Sequence, residues 1–223
     1  MNVFIVYYHP EPHSFNSAML QKAVEVFQSK GDAVQVSDLH QSDFSPVSGR
    51  HNFKSEQNSS FYKQQFEELH ATETNSFAEE IEDEISKVEW CDLMIWQFPL
   101  WWAGLPAPLK GWVDRVFAMG RTYGNGRCYE NGVFQKKKAM LSLTTGGPQQ
   151  SYLEDGFNGD IHSILRPIHR GILQFVGFRI LFPHIVFGPA HLTDEERTLL
   201  LGQYGNRLAG IEKENTIAVG KYR

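Results

Sequence analysis

The sequence predicts an α/β fold built on a doubly wound, five-stranded parallel sheet. Three observations predict it. Residues 3–8 and 93–96 are almost continuously apolar, the pattern of strands covered on both faces. Strand-like runs alternate with segments of helical period, which is the mark of βαβ units. The most unusual loops, 9–16, 99–104 and 144–147, each follow a predicted strand.

Taken in order, VFIVYY at 3–8 is the first strand. The loop His9-Pro10-Glu11-Pro12-His13-Ser14 leads to helical period over 15–27, with Ser14 or Asn16 as the N-cap. Gly31 closes that helix, and 33–39 alternates as a second strand, completing a βαβ unit. From 40 to 75 the pattern dissolves into a polar excursion carrying Phe44, Phe53, Phe61, Tyr62 and Phe66. It reads as an irregular arm that packs on a partner subunit or a ligand. Residues 77–90 form an acidic amphipathic helix with a solvated Glu-rich face. The third strand runs through Trp96 into Gln97-Phe98-Pro99-Leu100-Trp101-Trp102-Ala103-Gly104-Leu105-Pro106, and a helix follows with Pro106 or Pro108 in its first turn. A turn-rich loop at 121–132 and a surface patch, Lys136-Lys137-Lys138, precede the fourth strand at 139–143. Asp160 caps a helix expected over 161–176, and 178–188 supplies the fifth strand region. Thr193 and Glu196 form a capping box for the last helix. The whole chain, 1–223, reads as one domain.

Composition narrows the function. The 223 residues are 41% hydrophobic and 21% charged, ordinary for a globular protein. With 21 Lys and Arg against 26 Asp and Glu, the net charge of −5 gives no reason to expect nucleic acid or an anionic membrane. No apolar run reaches the roughly 18 residues of a spanning helix, so no membrane insertion is expected. The chain opens directly on a strand without a signal-peptide layout, which predicts a cytoplasmic location. Two cysteines make no disulfide framework: Cys91 is expected in the core and Cys128 as a free thiol.

In a doubly wound sheet of order 2-1-3-4-5, ligands bind beyond the carboxyl ends of the strands, near the switch between strands 1 and 3. That topology gathers the three unusual loops. The start of the first helix, at Ser14, Phe15 and Asn16, offers free N–H groups to a phosphate, and His9 adds a hydrogen bond or charge. Trp101 and Trp102 suit a wall for a flat aromatic ligand, the alternative being a loop buried under a neighbouring subunit. Thr144-Thr145-Gly146-Gly147 supplies hydroxyls and side-chain-free backbone to lie against a ring. No GxxxxGK[ST], GxGxxG or GxSxG occurs, and the histidines and cysteines do not fall at zinc spacings, so no metal is expected. Phosphate at a helix start, with a heterocycle between tryptophans and glycines, describes a flavin nucleotide.

Gln97-Phe98-Pro99-Leu100-Trp101-Trp102, Leu109-Lys110-Gly111-Trp112-Val113-Asp114-Arg115-Val116-Phe117 and Thr144-Thr145-Gly146-Gly147 closely resemble the NAD(P)H:quinone oxidoreductase family, the DT-diaphorase-like branch of the flavodoxin-like fold. His9, Ser14-Phe15-Asn16 and the segment 171–178 extend the likeness to about Arg197, weakest over 45–75. The resemblance implies an enzyme with FAD, FMN being the alternative, that is usually a homodimer. It implies two-electron reduction of quinones or other small aromatic acceptors by NAD(P)H in a ping-pong cycle. By matching position, His9, Ser14, Phe15 and Asn16 would hold the FAD phosphates and ribityl chain. Pro99, Leu100, Trp101, Trp102 and Ala103 would line the isoalloxazine, and Thr144, Thr145, Gly146, Gly147 and Tyr152 its polar edge. Asp114 and Arg197 match adenosine contacts. Tyr152, Asn158, Gly146 and Gly147 would serve catalysis; Trp102, Tyr123, Asn125 and Asn158 would form the substrate pocket, with Tyr123 reaching across the dimer. Two residues depart from the family pattern: Asn125 replaces a second pocket tyrosine, and Asn158 replaces the catalytic histidine of the mammalian-type enzymes. The resemblance also extends to flavin-binding regulatory subunits of potassium-efflux systems, the runner-up reading. A one-electron flavodoxin carrier ranks third, because the chain lacks a Thr-rich phosphate loop after strand 1.

Overall fold

The computed structural model describes residues 1–221. Apolar alternation along the central strands sorts side chains to two faces and so demands helices on both. In β1 (Asn2–Tyr7), Val3 and Ile5 turn to one face while Phe4 and Val6 turn to the other. Around it lie β2 (Ala33–Asp38), β3 (Leu93–Pro99) and β4 (Lys138–Thr145), all parallel, in the order β2-β1-β3-β4-β5. Helices α1 (Phe15–Ser29) and α6 (Asp194–Ala209) bury Met19, Phe27, Tyr204 and Leu208 against the Val3 face. On the other face, α3 (Glu79–Trp90), α4 (Ala107–Val116) and α5 (Ile161–Ile168) bury Ile81, Ile85, Trp112 and Leu165. This is the flavodoxin-like arrangement expected.

The edge opposite β2 differs in detail. The fifth strand region divides into β5 (Arg179–Ile180) and β6 (His184–Phe187), each pairing parallel with β4. Pro183 lies in the break, where it can give no ladder N–H. The helix expected to reach 176 is α-helical only to Ile168 and continues as a π turn over His169–Leu173. Pro167 sits inside it and removes the donor that the α ladder needs. Asp160 is its N-cap, accepting from His162 and Ser163 N–H.

The arm at 40–75 is less irregular than expected. Its second half is a helix, α2 (Gln64–Thr74), and its first half folds back on its own domain. Arg115, 2% exposed, donates to the carboxyl of Glu80, the side-chain carbonyl of Asn52 and the carbonyl of Ser45, each at 2.8 Å, and lies over the Phe44 ring. Phe44 and Phe53 therefore pack into the core, whereas Phe61 and Phe66 stay exposed. Nor is the α3 acidic face simply solvated. Glu84 is buried, accepting from Trp112 Nε1 at 2.7 Å and from Ser37 and Lys87; Glu82 and Glu89 hold Arg121. The Lys136–138 patch contains two staples, Lys137 to the carbonyls of Glu89 and Cys91 and Lys138 to those of Glu212 and Glu214. Cys91 is buried, and Cys128 is a partly exposed free thiol.

Candidate active site

Parallel pairing brings the three loops together. β3 and β4 run in register to Pro99↔Thr144, and the N–H of Leu100 then donates to the carbonyl of Thr144 at 2.8 Å. The chain must turn sharply there. Trp101 and Gly104 exchange two backbone hydrogen bonds, of 2.9 and 3.3 Å, and Trp102 and Ala103 between them have φ of 51° and 54°. Two consecutive left-handed residues make a type I′ turn, normally the place of Asn-Gly. Here neither is glycine, so the turn holds strain of about 1–2 kcal/mol per residue. The Trp101 ring meets Tyr8 edge-on at 5.9 Å, while Trp102 is wholly exposed, at 103%.

At the start of α1, the Ser14 side chain accepts from Ser17 N–H at 3.1 Å and is the cap. The first-turn N–H groups of Phe15 and Asn16 are then left without a helical acceptor. His9 Nδ1 accepts from Glu11 N–H at 3.0 Å, which places the proton of the neutral ring on Nε2. Burial pushes its pKa below the usual histidine value, so the neutral donor form prevails. These groups border a groove of about 670 Å³ shared with Thr144, Pro189, Asp194 and Arg197. The Arg197 guanidinium is held rigid by the carbonyls of Pro189 and Leu192, at 3.1 and 2.6 Å, and by Asp194. Six predicted residues, His9, Ser14, Phe15, Asn16, Thr144 and Arg197, thus line one groove.

Beyond Thr145, whose hydroxyl donates to the Gly147 carbonyl at 2.8 Å, the strand gives way to side-chain-free backbone. A Cβ built on Gly146 would meet nothing within 4 Å; one on Gly147 would lie 3.5 Å from the Tyr152 ring and 3.7 Å from the Asn158 amide nitrogen. Tyr152 and Asn158 therefore flank Gly147, and the Tyr152 ring is backed by Phe187 at 5.7 Å. His162 is exposed with its ring against Phe182, and it shares with Tyr152 a neighbouring cleft of about 440 Å³.

The profile of a family described as having the flavodoxin-like fold matches residues 1–208. The ribosyldihydronicotinamide dehydrogenase [quinone] of Rattus norvegicus is 40% identical over 216 residues, spanning 96% of this chain and 94% of the relative. The NAD(P)H dehydrogenase [quinone] 1 of Cavia porcellus is 41% identical over 217 residues, 96% of this chain and 78% of the relative. The chain belongs to the NAD(P)H:quinone oxidoreductase family. A crystal structure of a candidate quinone reductase from Klebsiella pneumoniae superposes with a TM-score of 0.93 at 33% identity, covering 97% of this chain and 87% of that one.

In this family member not every predicted site residue joins the first groove. Asp114, matched to an adenosine contact, is paired with Lys110 at 2.6 Å and borders a second groove of about 540 Å³. Within one chain it does not meet Arg197. Tyr123 lines that second groove too, its ring 5.5 Å from Phe175 and its hydroxyl 3.4 Å from the Glu68 carboxyl. Asn125 is exposed and left-handed, with φ 54°. Sequence reasoning overlooked Glu68, which is 3% exposed and accepts from Met119 N–H, Gln64 Nε2 and Tyr123. It also overlooked Gln97, buried directly behind the tryptophan turn. Both look like ordinary surface or strand residues in a sequence. Only helix α2 and the register of β3 turn them inward.

Proposed function

We propose that the protein is an FAD-dependent NAD(P)H:quinone oxidoreductase that transfers two electrons as hydride in a ping-pong cycle. The observation that carries this reading is the junction of the three loops, with Leu100 and Asn16 both bonded to Thr144, at 2.8 and 2.7 Å. These bonds bring the helix-start donors, the aromatic turn and the bare glycine backbone to the ends of adjoining strands. The donor set fits a dinucleotide. Phosphates suit the Phe15 and Asn16 N–H groups and His9 Nε2, and the groove extends past them to Arg197 on α6, room that a mononucleotide would leave unused. A flavin held there would supply the two-electron hydride chemistry between nicotinamide and quinone.

The residues divide the work. Pro99, Leu100, Trp101, Trp102 and Ala103 wall the ring slot, and the type I′ turn fixes the height of that wall. Gly146 and Gly147 let the backbone come close, and Tyr152 and Asn158 offer donors where negative charge develops on the ring edge. Asn158 is a neutral amide with no titratable proton, so it contributes hydrogen bonding but no proton relay. Tyr123, Asn125 and Asp114 serve the site of a second copy in a homodimer, which explains their separation from Arg197. The regulatory-subunit reading is not favoured, since relatives spanning most of the chain are named as enzymes.

Releasing the bound cofactor from purified protein and identifying it tests the reading. FAD is expected, followed by reduction with NADH or NADPH and reoxidation by a simple naphthoquinone. Recovery of FMN alone would remove the dinucleotide, and absence of any flavin after reconstitution would remove the enzyme. Sedimentation is expected to give a dimer at micromolar concentration; a flavin-loaded active monomer would remove the shared site.

A further inference from the structure

Gln97 lies on β3, opposite Tyr7 on β1 and Ser142 on β4, and is 1% exposed. A buried amide in mid-sheet requires partners. Its Nε2 donates to Asn16 Oδ1 at 2.7 Å and approaches the Met19 sulfur at 3.8 Å, while its Oε1 is buried with no partner. Asn16, 2% exposed, passes the bond on: its Nδ2 donates to Thr144 Oγ1 at 2.7 Å. Thr144 borders the groove. Three residues from β3, α1 and β4 thus form a directional line ending at the ligand space. None of the three is charged, so the line carries orientation and no net charge.

Direction is what the line determines. A hydroxyl has one proton and two acceptor sites. Because Thr144 Oγ1 accepts from Asn16, its own proton is free to be donated outward. Exchanging O and N on both amides would reverse every bond: Thr144 would donate inward to Asn16, and the groove would meet an acceptor instead. The Met19 sulfur, a weak acceptor, selects the observed direction, since it faces Gln97 Nε2. The unpartnered Oε1 is the cost of holding that direction.

We propose that Gln97 is a positioning residue, which through Asn16 fixes Thr144 as a hydrogen-bond donor to the bound flavin nucleotide. The inference rests on the flavin reading above. Gln97 does not itself touch the groove, so its influence on affinity must pass through the Thr144 hydroxyl. That dependence distinguishes it from a residue that merely supports the fold.

A double-mutant cycle on flavin affinity tests it, using apoprotein titrated with FAD by quenching of flavin fluorescence. Gln97→Met is expected to weaken FAD binding about tenfold. In a Thr144→Val background, with no hydroxyl to orient, the same change should alter affinity by less than about twofold. Gln97→Glu gives a second route if the methionine variant fails to fold: its carboxylate only accepts, which turns Asn16 round and draws the Thr144 proton inward. It should lose a similar factor, again only when the hydroxyl is present. Equal losses in both backgrounds, or unchanged affinity in both Gln97 variants, would overturn the relay. Wild-type apoprotein without affinity for any flavin would overturn the flavin reading and the relay with it. Normal wild-type binding with an additive cycle overturns the relay alone.

Discussion

The two grooves are similar in size and opposite in construction. The one beside α1, about 670 Å³, is bordered by helix-start N–H groups, His9, Thr144 and a rigidly held Arg197. The one beyond α4, about 540 Å³, is bordered by Gln64, Gln65, Glu68 and Asp114 together with half-buried Tyr123, Ile172 and Phe175. A polar groove can be finished within a chain, because its donors and acceptors are held by other groups of the same chain. The second groove leaves its aromatics half-covered, and on the function proposed above a second copy covers them. That contrast explains why Tyr123 and Asp114 stand apart from the other predicted site residues. The second groove owes its shape to the arm, so the comparison is broken first by loosening the arm.

The largest effect is expected at Gly111 of α4. A Cβ there would lie 2.3 Å from the Cα and carbonyl oxygen of Pro46, both backbone atoms that cannot swing aside. Gly111→Ala should cost about 3 kcal/mol through overpacking. Thermal unfolding should fall by roughly 6–12 °C for a domain of this size. A melting temperature equal to wild type would show that the arm is only loosely docked and that the second groove has no fixed wall.

The next effect sharpens the comparison electrostatically, because in each groove burial disfavours the charged form of one titratable group. His9 has its pKa lowered and Glu68 has its pKa raised, burial being the main cause in both. The signs are opposite. As pH falls through 6.5, the ordinary histidine value, the unfolded chain takes up the His9 proton first, and stability is lost. Below 4.5 Glu68 is protonated in both states; as pH rises past that value, the unfolded chain ionises first, and stability again falls. Urea unfolding from about pH 4 to 8 should show His9→Gln flattening the acid-side loss and Glu68→Gln flattening the loss on the other side. Variants whose profiles run parallel to wild type would show that neither groove holds its group out of water.

The sequence makes the first groove legible and the second one not, for a physical reason. Caps, helix starts and glycine turns act over three or four residues, so Ser14, Phe15, Asn16 and Thr144 to Gly147 announce themselves locally. The strand alternation likewise exposes the sheet order. The second groove depends on contacts between distant segments, such as Arg115 with Ser45, Asn52 and Glu80, whose residues look like surface groups in sequence. The same holds for Glu84, which reads as part of a solvated acidic face but is drawn inward by the indole of Trp112. The helical half of the arm was obscured by its polarity, as α2 buries only Glu67, Glu68 and Ala71. Pro167 could have announced the early end of α5, since a proline that deep removes an α-helical donor.

The smallest effect concerns the border between the two grooves' chemistry, the turn at Trp102. Its side chain is fully exposed, so truncation forfeits no burial within the chain. Its φ of 51° is strained for any residue with a Cβ, and glycine would relieve about 1–2 kcal/mol. Glycine also gains freedom in the unfolded chain, which returns roughly 0.4–1 kcal/mol of that relief. Trp102→Gly should therefore stabilise the protein by about 0.5–1 kcal/mol, seen as a rise of roughly 2 °C in the melting temperature. An exposed, strained tryptophan that costs stability is kept for something outside the fold, and on the function proposed above that is the ring-slot wall. Turnover with NAD(P)H and a naphthoquinone should accordingly fall in the same variant, mainly through a higher KM for the quinone, which loses one stacking surface. If stability rises and KM is unchanged, Trp102 faces away from the acceptor and the wall is Trp101 alone. If stability falls, the indole is packed against a second copy even in the resting protein, and the polar groove is not complete within one chain.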